Sequence, residues 1–388
     1  KEMAKRLNVK RYYHPILFCM FFTSLFELFR RAFLLTGREL SISNRPLIVF
    51  SPDSGLGNNM IALVSSKFLA EIVQSPFAIV WENSSTLACQ AAYTDTFTDS
   101  GYNLPEARLR ERCPSLCDLD LTQSGSNECW NMINCDTAEQ IADSFKSCTC
   151  VRIRSNQYFL EPLAKRISVK QNPFSFYAED LFIPAESLAE QVKRTREEWK
   201  VQHNVSHVIG VHVRSAFYAT DIKNGHLIPK EKVFETHFWP CVQKIASNLA
   251  GERVGVFVAA DTANLRREAA EIIRSSNDVF LLKSPISNIP NDTGLGPTRN
   301  KNEVVDAAIE LFLLQTSDSV VVKRVGRFDS TFSAVAVAQS LCDSSGKCYI
   351  VGDHSCERTI EPQSPDLHHV VEANCNQANL AQCFPVFG

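Results

Sequence analysis

What the chain lacks narrows its class first. It has no excess of basic residues: the formal net charge is -3 over 388 residues, and no basic block follows the first eleven positions, so a nucleic-acid partner has no electrostatic footprint to meet. No uninterrupted apolar run reaches the roughly 20 residues of a full membrane crossing. Gly-x-Ser-x-Gly, His-Glu-x-x-His and the P-loop lysine motif are all absent, which argues against nucleophile-elbow hydrolases, zincins and P-loop nucleotidases. There is no internal repeat and no low-complexity stretch. The closely spaced cysteines lack the paired Cys-x-x-Cys knuckles of a zinc ribbon.

Cysteines themselves are plentiful, at 14. Cys113, Cys117, Cys129, Cys135, Cys148 and Cys150 crowd one segment, and Cys342, Cys348, Cys356, Cys375 and Cys383 crowd the C-terminal end. Zinc and disulfides compete as explanations, and the irregular spacing favours disulfides. Acceptor patterns for N-glycosylation at Asn83, Asn204 and Asn291 agree with an oxidising lumen or the cell exterior.

The N-terminus supplies a topology. Lys1, Lys5, Arg6, Lys10 and Arg11 precede the apolar run from Pro15 to Phe26, after which come Glu27, Arg30 and Arg31. Basic residues ahead of an apolar segment place residues 1–13 in the cytosol as a tail, residues 14–35 as a signal-anchor helix, and the remainder in the lumen. The charges near the end of the segment keep two alternatives open. One is a helix lying on the membrane or bound to a membrane-protein partner, with the chain in a complex facing another oxidising compartment; the other is a removable signal peptide.

Beyond a polar stem at 36–46, hydrophobic periodicity predicts two α/β domains, 47–200 and 201–388, the first carrying the cysteine-rich segment 113–150. Leu47 to Phe50 reads as a buried strand, Ser51 to Gly57 as a turn, Asn58 to Gln74 as a helix and Phe77 to Trp81 as a second strand, the order of a parallel-sheet unit. From about 83 to 160 the pattern weakens into a segment expected to be loop-dominated and stapled. A helix at about 185–200 bridges to the second half. There, strands at 208–213, 254–259, 279–282, 319–323 and 348–351 alternate with helices near 230–250, 262–275, 302–316 and 330–342, which is the pattern of a doubly wound sheet.

Four stretches could carry chemistry. Val208 to Arg214 would deliver His212 and Arg214 to the C-terminal edge of its sheet, where open α/β sheets bind ligands; Arg214 could equally be a surface residue. Gly55, Gly57 and Asn58 stand between a strand and a helix, in a tight turn or in a close approach to an anion. Asp261 and Thr262 follow a strand and open a helix, as caps or as acceptors for a nucleotide base or ribose. Arg327, Ser330, Thr331 and Phe332 open the last long helix, with Lys323 and Arg324 nearby, and suit a diphosphate. Asp118-Leu-Asp120 has the spacing of a metal-holding pair but follows no recognisable strand.

In this order and spacing, Gly55-Leu-Gly-Asn58, His212-Val-Arg214, Val256 to Asp261 and Ser330-Thr-Phe-Ser333 resemble the fucosyltransferase superfamily of α1,2-, α1,6- and protein O-fucosyltransferases. The resemblance implies a GT-B fold of two Rossmann-like domains facing a cleft, the C-terminal one binding GDP-fucose. It implies inverting transfer to a glycan or glycoprotein acceptor, with no metal and no other cofactor, from a type II Golgi or ER membrane protein. Carried over by position, Arg214 would bind the diphosphate, Ser330 and Thr331 the phosphates, and Asp261 the guanosine. Asp221, or else Asp53, would act as general base. Ser215 departs from the pattern, since many members carry a second arginine there. A catalytically silent relative serving as a structural subunit or glycan-binding module is the alternative.

Overall fold

The computed structural model describes residues 45–52, 55–72, 75–82, 90–120, 146–155, 173–214, 219–223, 226–229, 232–249, 251–286, 300–323, 331–338, 348–351 and 356–358. The segment read as a membrane helix, 14–35, lies outside them. Among the described residues no helix is long and apolar enough to cross a membrane. Arg45–Gly388 forms one compact unit.

Its first half runs β1 (Leu47–Ser51), α1 (Leu56–Ile72), β2 (Phe77–Ile79), α2 (Tyr93–Thr96), α3 (Glu106–Arg112), β3 (Leu116–Asp120), β4 (Cys150–Arg154), α4 (Pro173–Leu181) and α5 (Glu186–His203). The four strands make a parallel sheet in the order β2-β1-β4-β3. The two described ends of the cysteine-rich segment thus supply β3 and the start of β4, strands in a segment expected to be loop-dominated, while its middle, 121–145, lies outside the described residues. Cys117 to Asp120 and Val151 to Arg154 both alternate apolar and polar residues, the period-2 signature of a strand. Arg152, only 8% exposed, can lie within the sheet because Glu106 and Asp118 hold its guanidinium at 2.7 and 3.4 Å. Disulfides Cys113–Cys150 and Cys117–Cys148 staple these elements together, with Cα separations of 5.6 and 5.9 Å. In the chain-entropy view the first closure of a loop of this length contributes about 4 kcal/mol, and the second, nested with it, contributes less.

The second half contains β5 (His207–Val213), β6 (Ala219–Lys223), β7 (His226–Pro229), a π-helical turn (Phe234–Phe238), α6 (Trp239–Asn248), β8 (Val254–Ala260), α7 (Ala263–Arg274), β9 (Val279–Leu282), α8 (Lys301–Gln315), β10 (Ser319–Lys323), α9 (Thr331–Ala338), β11 (Cys348–Val351) and β12 (Cys356–Arg358). Six strands form a sheet in the order β12-β11-β10-β5-β8-β9, parallel except for β12. The π-helical turn ends where Pro240, at the second position of α6, has no N–H to continue an α ladder. Cys241–Cys356 ties α6 to the edge strand β12. The hairpin β6-β7 and β12 are elements that periodicity did not reveal.

Helices cover both faces of this sheet. Ile209, Val211 and Val213 pack with α6 and α7. Val208, Phe257 and Ala259 share a larger core with α8, α9, α1, α4 and α5. That core also takes Ile48, Phe50 and Ile153 of the first sheet, so the helices between the sheets are buried on two sides. Phe97 meets Phe312 edge-on at 6.2 Å, and Lys301 pairs with Asp95 at 2.6 Å, joining α8 to the α2 region. α8 starts on a capping box in which Asn300 accepts from the Glu303 N–H at 3.1 Å and Glu303 accepts from the Asn300 N–H at 3.2 Å.

Candidate active site

The order of the second sheet creates a crevice. From β5 the chain steps outward through β8 to β9, then returns to β5's other side with β10 and continues to β11. The reversal lies between β5 and β10, and ligands of doubly wound sheets bind at the carboxyl ends of the strands flanking such a point. His212 stands opposite Val322 in that register and opposite Ala259 on the other side. β5 is buried along its whole length, so the position of its last residues is set by both neighbours. Gly210 permits this closeness: a Cβ there would come within 2.6 Å of Ser317 Oγ, which is committed to the Leu313 carbonyl.

His212 is 7% exposed and does not face an open cleft. Its Nδ1 lies 2.6 Å from Ser333 Oγ, and its ring lies against Phe332 with centroids 4.9 Å apart. Burial, with the positive charges of Arg214 and Arg266 nearby, pushes the imidazole down to about 3. The ring is therefore neutral at physiological pH, and it fastens the first turn of α9 to the end of β5. Arg214 follows directly and is exposed at the sheet edge. The first backbone N–H groups of α9, from Thr331 on, belong to the same edge and lack partners within the helix.

On the other side of β5, Asp261 follows β8 and is half-buried. The cap of α7 is Thr262, whose Oγ1 accepts from the Leu265 N–H at 3.3 Å, so capping does not account for Asp261. Asp221 lies in β6 opposite Ile228, beside an irregularity of register. Gly55 immediately precedes α1, and its carbonyl accepts from Asn59 N–H at 3.0 Å. A Cβ at Gly55 would meet nothing within 4 Å; packing does not demand glycine there. Gly57 is buried and Asn58 half-buried in the first turn of α1, which packs against α9. The structure thus brings His212, Arg214, Asp261, Thr331 and Phe332 to one edge. Asp53, Arg327, Ser330, Asn83 and Asn291 lie outside the described residues, and Asn204 is the exposed left-handed C-cap of α5.

Two residues of this edge escaped sequence reading. Arg266, in the first turn of α7, donates to the Ala260 carbonyl at 2.9 and 3.1 Å and pairs with Glu310 of α8 at 2.6 and 2.7 Å. Glu310 is 6% exposed and also accepts from Ser284 Oγ at 3.0 Å. The available signal was a lone carboxylate between Ile309 and Leu311 in an otherwise apolar helix face. Asp118 of the Asp-x-Asp pair sits within a strand and is bound to Arg152. Among the described residues no group of three side chains suits a metal ion.

No protein-family model and no curated protein matches the sequence. Solved structures do. An arginine-to-lysine mutant of FUT1 from Arabidopsis thaliana, in complex with GDP, aligns over 82% of this chain and 74% of its own at 17% identity, with a TM-score of 0.55. The α1,6-fucosyltransferase NodZ, co-crystallised with GDP, aligns over 82% of this chain and 99% of its own at 13% identity, with a TM-score of 0.50. With its two parallel sheets and the crevice at β5 and β10, the chain has the GT-B-type fold of these fucosyltransferases.

Proposed function

We propose that the protein transfers fucose from GDP-fucose to a hydroxyl of a glycan or glycoprotein. The observation that carries this reading is that Arg214, Asp261 and the N-terminus of α9 stand at the carboxyl edge of three adjacent strands, β5, β8 and β10, beside the reversal point of the second sheet. That edge offers a planar cation and the amides of a helix N-terminus to a diphosphate, and a carboxylate to the nucleoside. The half containing β5 to β12 would hold the donor and the half containing β1 to β4 the acceptor. Fold similarity to two fucosyltransferases supports the donor's identity.

In the inverting reaction a general base, Asp221 or Asp53, takes the proton of the acceptor hydroxyl. The acceptor oxygen bonds to the anomeric carbon from the face opposite the phosphate, the bond from that carbon to the phosphate oxygen breaks, and GDP leaves with the electron pair. Arg214 and the α9 amides, with the hydroxyls of Ser330 and Thr331, meet the charge that grows on the diphosphate. His212 acts through Ser333 and Phe332 by holding α9 in place. Because cationic and amide groups fill the role of a metal on the diphosphate, turnover is expected to persist in excess EDTA. GDP release from GDP-fucose by the purified chain, with and without EDTA across a panel of glycan acceptors, tests this. Absence of GDP release together with absence of GDP binding would sink the enzyme reading.

A second reading, a silent relative that binds glycans or serves as a subunit of a membrane complex, is motivated by Ser215 after Arg214. It predicts that acceptor glycans bind while GDP-fucose is not consumed. We place the folded part in an oxidising lumen, a location supported by the three disulfides among the described residues, with 14–35 as its membrane attachment. Asn204, exposed at the end of α5, should then be glycosylated. On expression through a secretory pathway, Asn204→Gln should remove one glycosidase-sensitive mass step, and an unchanged mass would count against the location.

A further inference from the structure

The ion pair of Arg266 and Glu310 is deeply buried, at 16% and 8% side-chain exposure. Pairs of this kind seldom outperform well-packed apolar side chains in stability, so this one calls for a role in specificity or geometry. Its location is informative. Arg266 spends Nε and Nη2 on the Ala260 carbonyl and both terminal nitrogens on Glu310. Glu310 in turn accepts from Ser284, two residues past β9. One network therefore joins the ends of β8 and β9, the start of α7 and the middle of α8, with Asp261 as the residue next to the clamped carbonyl.

We propose that Arg266 and Glu310 are positioning residues for nucleotide recognition: their pair fixes the corner between β8 and α7 and thereby the place of Asp261 against the nucleotide base. The proposal rests on the reading of this edge as a nucleoside diphosphate site. Arg266 is not itself a phosphate ligand, because its Nε and Nη2 donate to Ala260 and Glu310 and its Nη1 is buried against Glu310. Nor is the clamp needed to start the helix, which Thr262 caps. What remains for it is the setting of the corner, and with it the choice of base.

The test is calorimetric titration of the full chain with GDP, ADP, UDP and CDP, for the wild type, the double variant Arg266→Met with Glu310→Leu, Arg266→Lys, and Asp261→Asn. The apolar double replacement removes both charges and leaves no buried ion unpaired. It should melt close to the wild type, bind GDP about 10- to 100-fold more weakly and lose the preference for GDP over ADP. Adding Asp261→Asn to it should cost little more, since both act through one contact. Arg266→Lys, which keeps the charge without the fork, should show the same loss of preference. A folded double variant with wild-type affinity and preference overturns the proposal and leaves the nucleotide site standing. Failure of both Arg266 variants to fold assigns the pair to stability and also overturns it. A wild type that binds none of the four nucleotides overturns the site and the proposal together. One that prefers a base other than guanine corrects the donor, and the clamp is then read from the loss of that preference.

Discussion

Arg214→Ala is expected to slow GDP release from GDP-fucose by about 10²- to 10³-fold, the effect of removing one preorganised donor from a developing charge. Three features set this size. Arg214 leaves the end of a strand buried along all seven residues, so its backbone is held in place by β10 and β8. Its neighbour His212 is kept neutral and cannot substitute as a cation. Ser215, where a second arginine would share the load, offers only a hydroxyl. Because charge accumulates on the leaving GDP as the glycosidic bond breaks, the loss should fall mainly on kcat, with a smaller rise in KM. Arg214→Lys should recover part of the rate, since it restores charge without the bidentate fork. Steady-state assays of the two variants beside the wild type decide the matter. An alanine variant within a few-fold of the wild type would remove Arg214 from the mechanism.

The second half of the fold was legible because its helices and strands announce themselves by period. Val254 to Ala260 and Val320 to Val322 are continuous apolar runs bounded by polar residues, and α8 carries a wide apolar face behind an Asn300 cap. β3 and β4 were hidden by their cysteines and arginines: Arg152 reads as solvent-facing until Glu106 and Asp118, brought close only by folding, neutralise it. The candidate site divides the same way. Arg214 and Asp261 stand at strand ends, a place sequence can point to. The clamp of Arg266, Glu310 and Ser284 depends on residues 44 and 26 positions apart, a pairing that no local pattern encodes. Strand alternation puts His212 on the face of β5 away from Val211 and Val213. Alternation chose the correct face, but α9 covers that face, a tertiary fact that makes the histidine a fastening and not an open ligand.

That fastening gives the protein an acid-sensitive element. The His212 imidazole sits near 3 in the folded chain because of burial first, and the nearby Arg214 and Arg266 second; once unfolded it returns to the ordinary value of about 6.5. Above 6.5 neither state carries the proton and His212 adds no pH dependence. As pH falls from 6.5 toward 3 the unfolded chain takes up a proton that the folded chain refuses, and stability is lost through that window. The slope contributed by this one group approaches about 1.4 kcal/mol per pH unit. Denaturation of the wild type and His212→Asn between pH 7.5 and about 4 isolates it from the carboxylates that both proteins share. Asparagine retains a polar atom for Ser333 and cannot take up the proton, so the variant, though weakened at neutral pH by loss of the Phe332 contact, should lose stability with acid more gently. Parallel profiles would mean that the ring titrates normally in the fold. A steeper wild-type profile would mean that the fold keeps the ring neutral, and GDP binding should then persist until the chain unfolds, because the hydrogen bond and ring contact that fasten the first turn of α9 survive in the folded state.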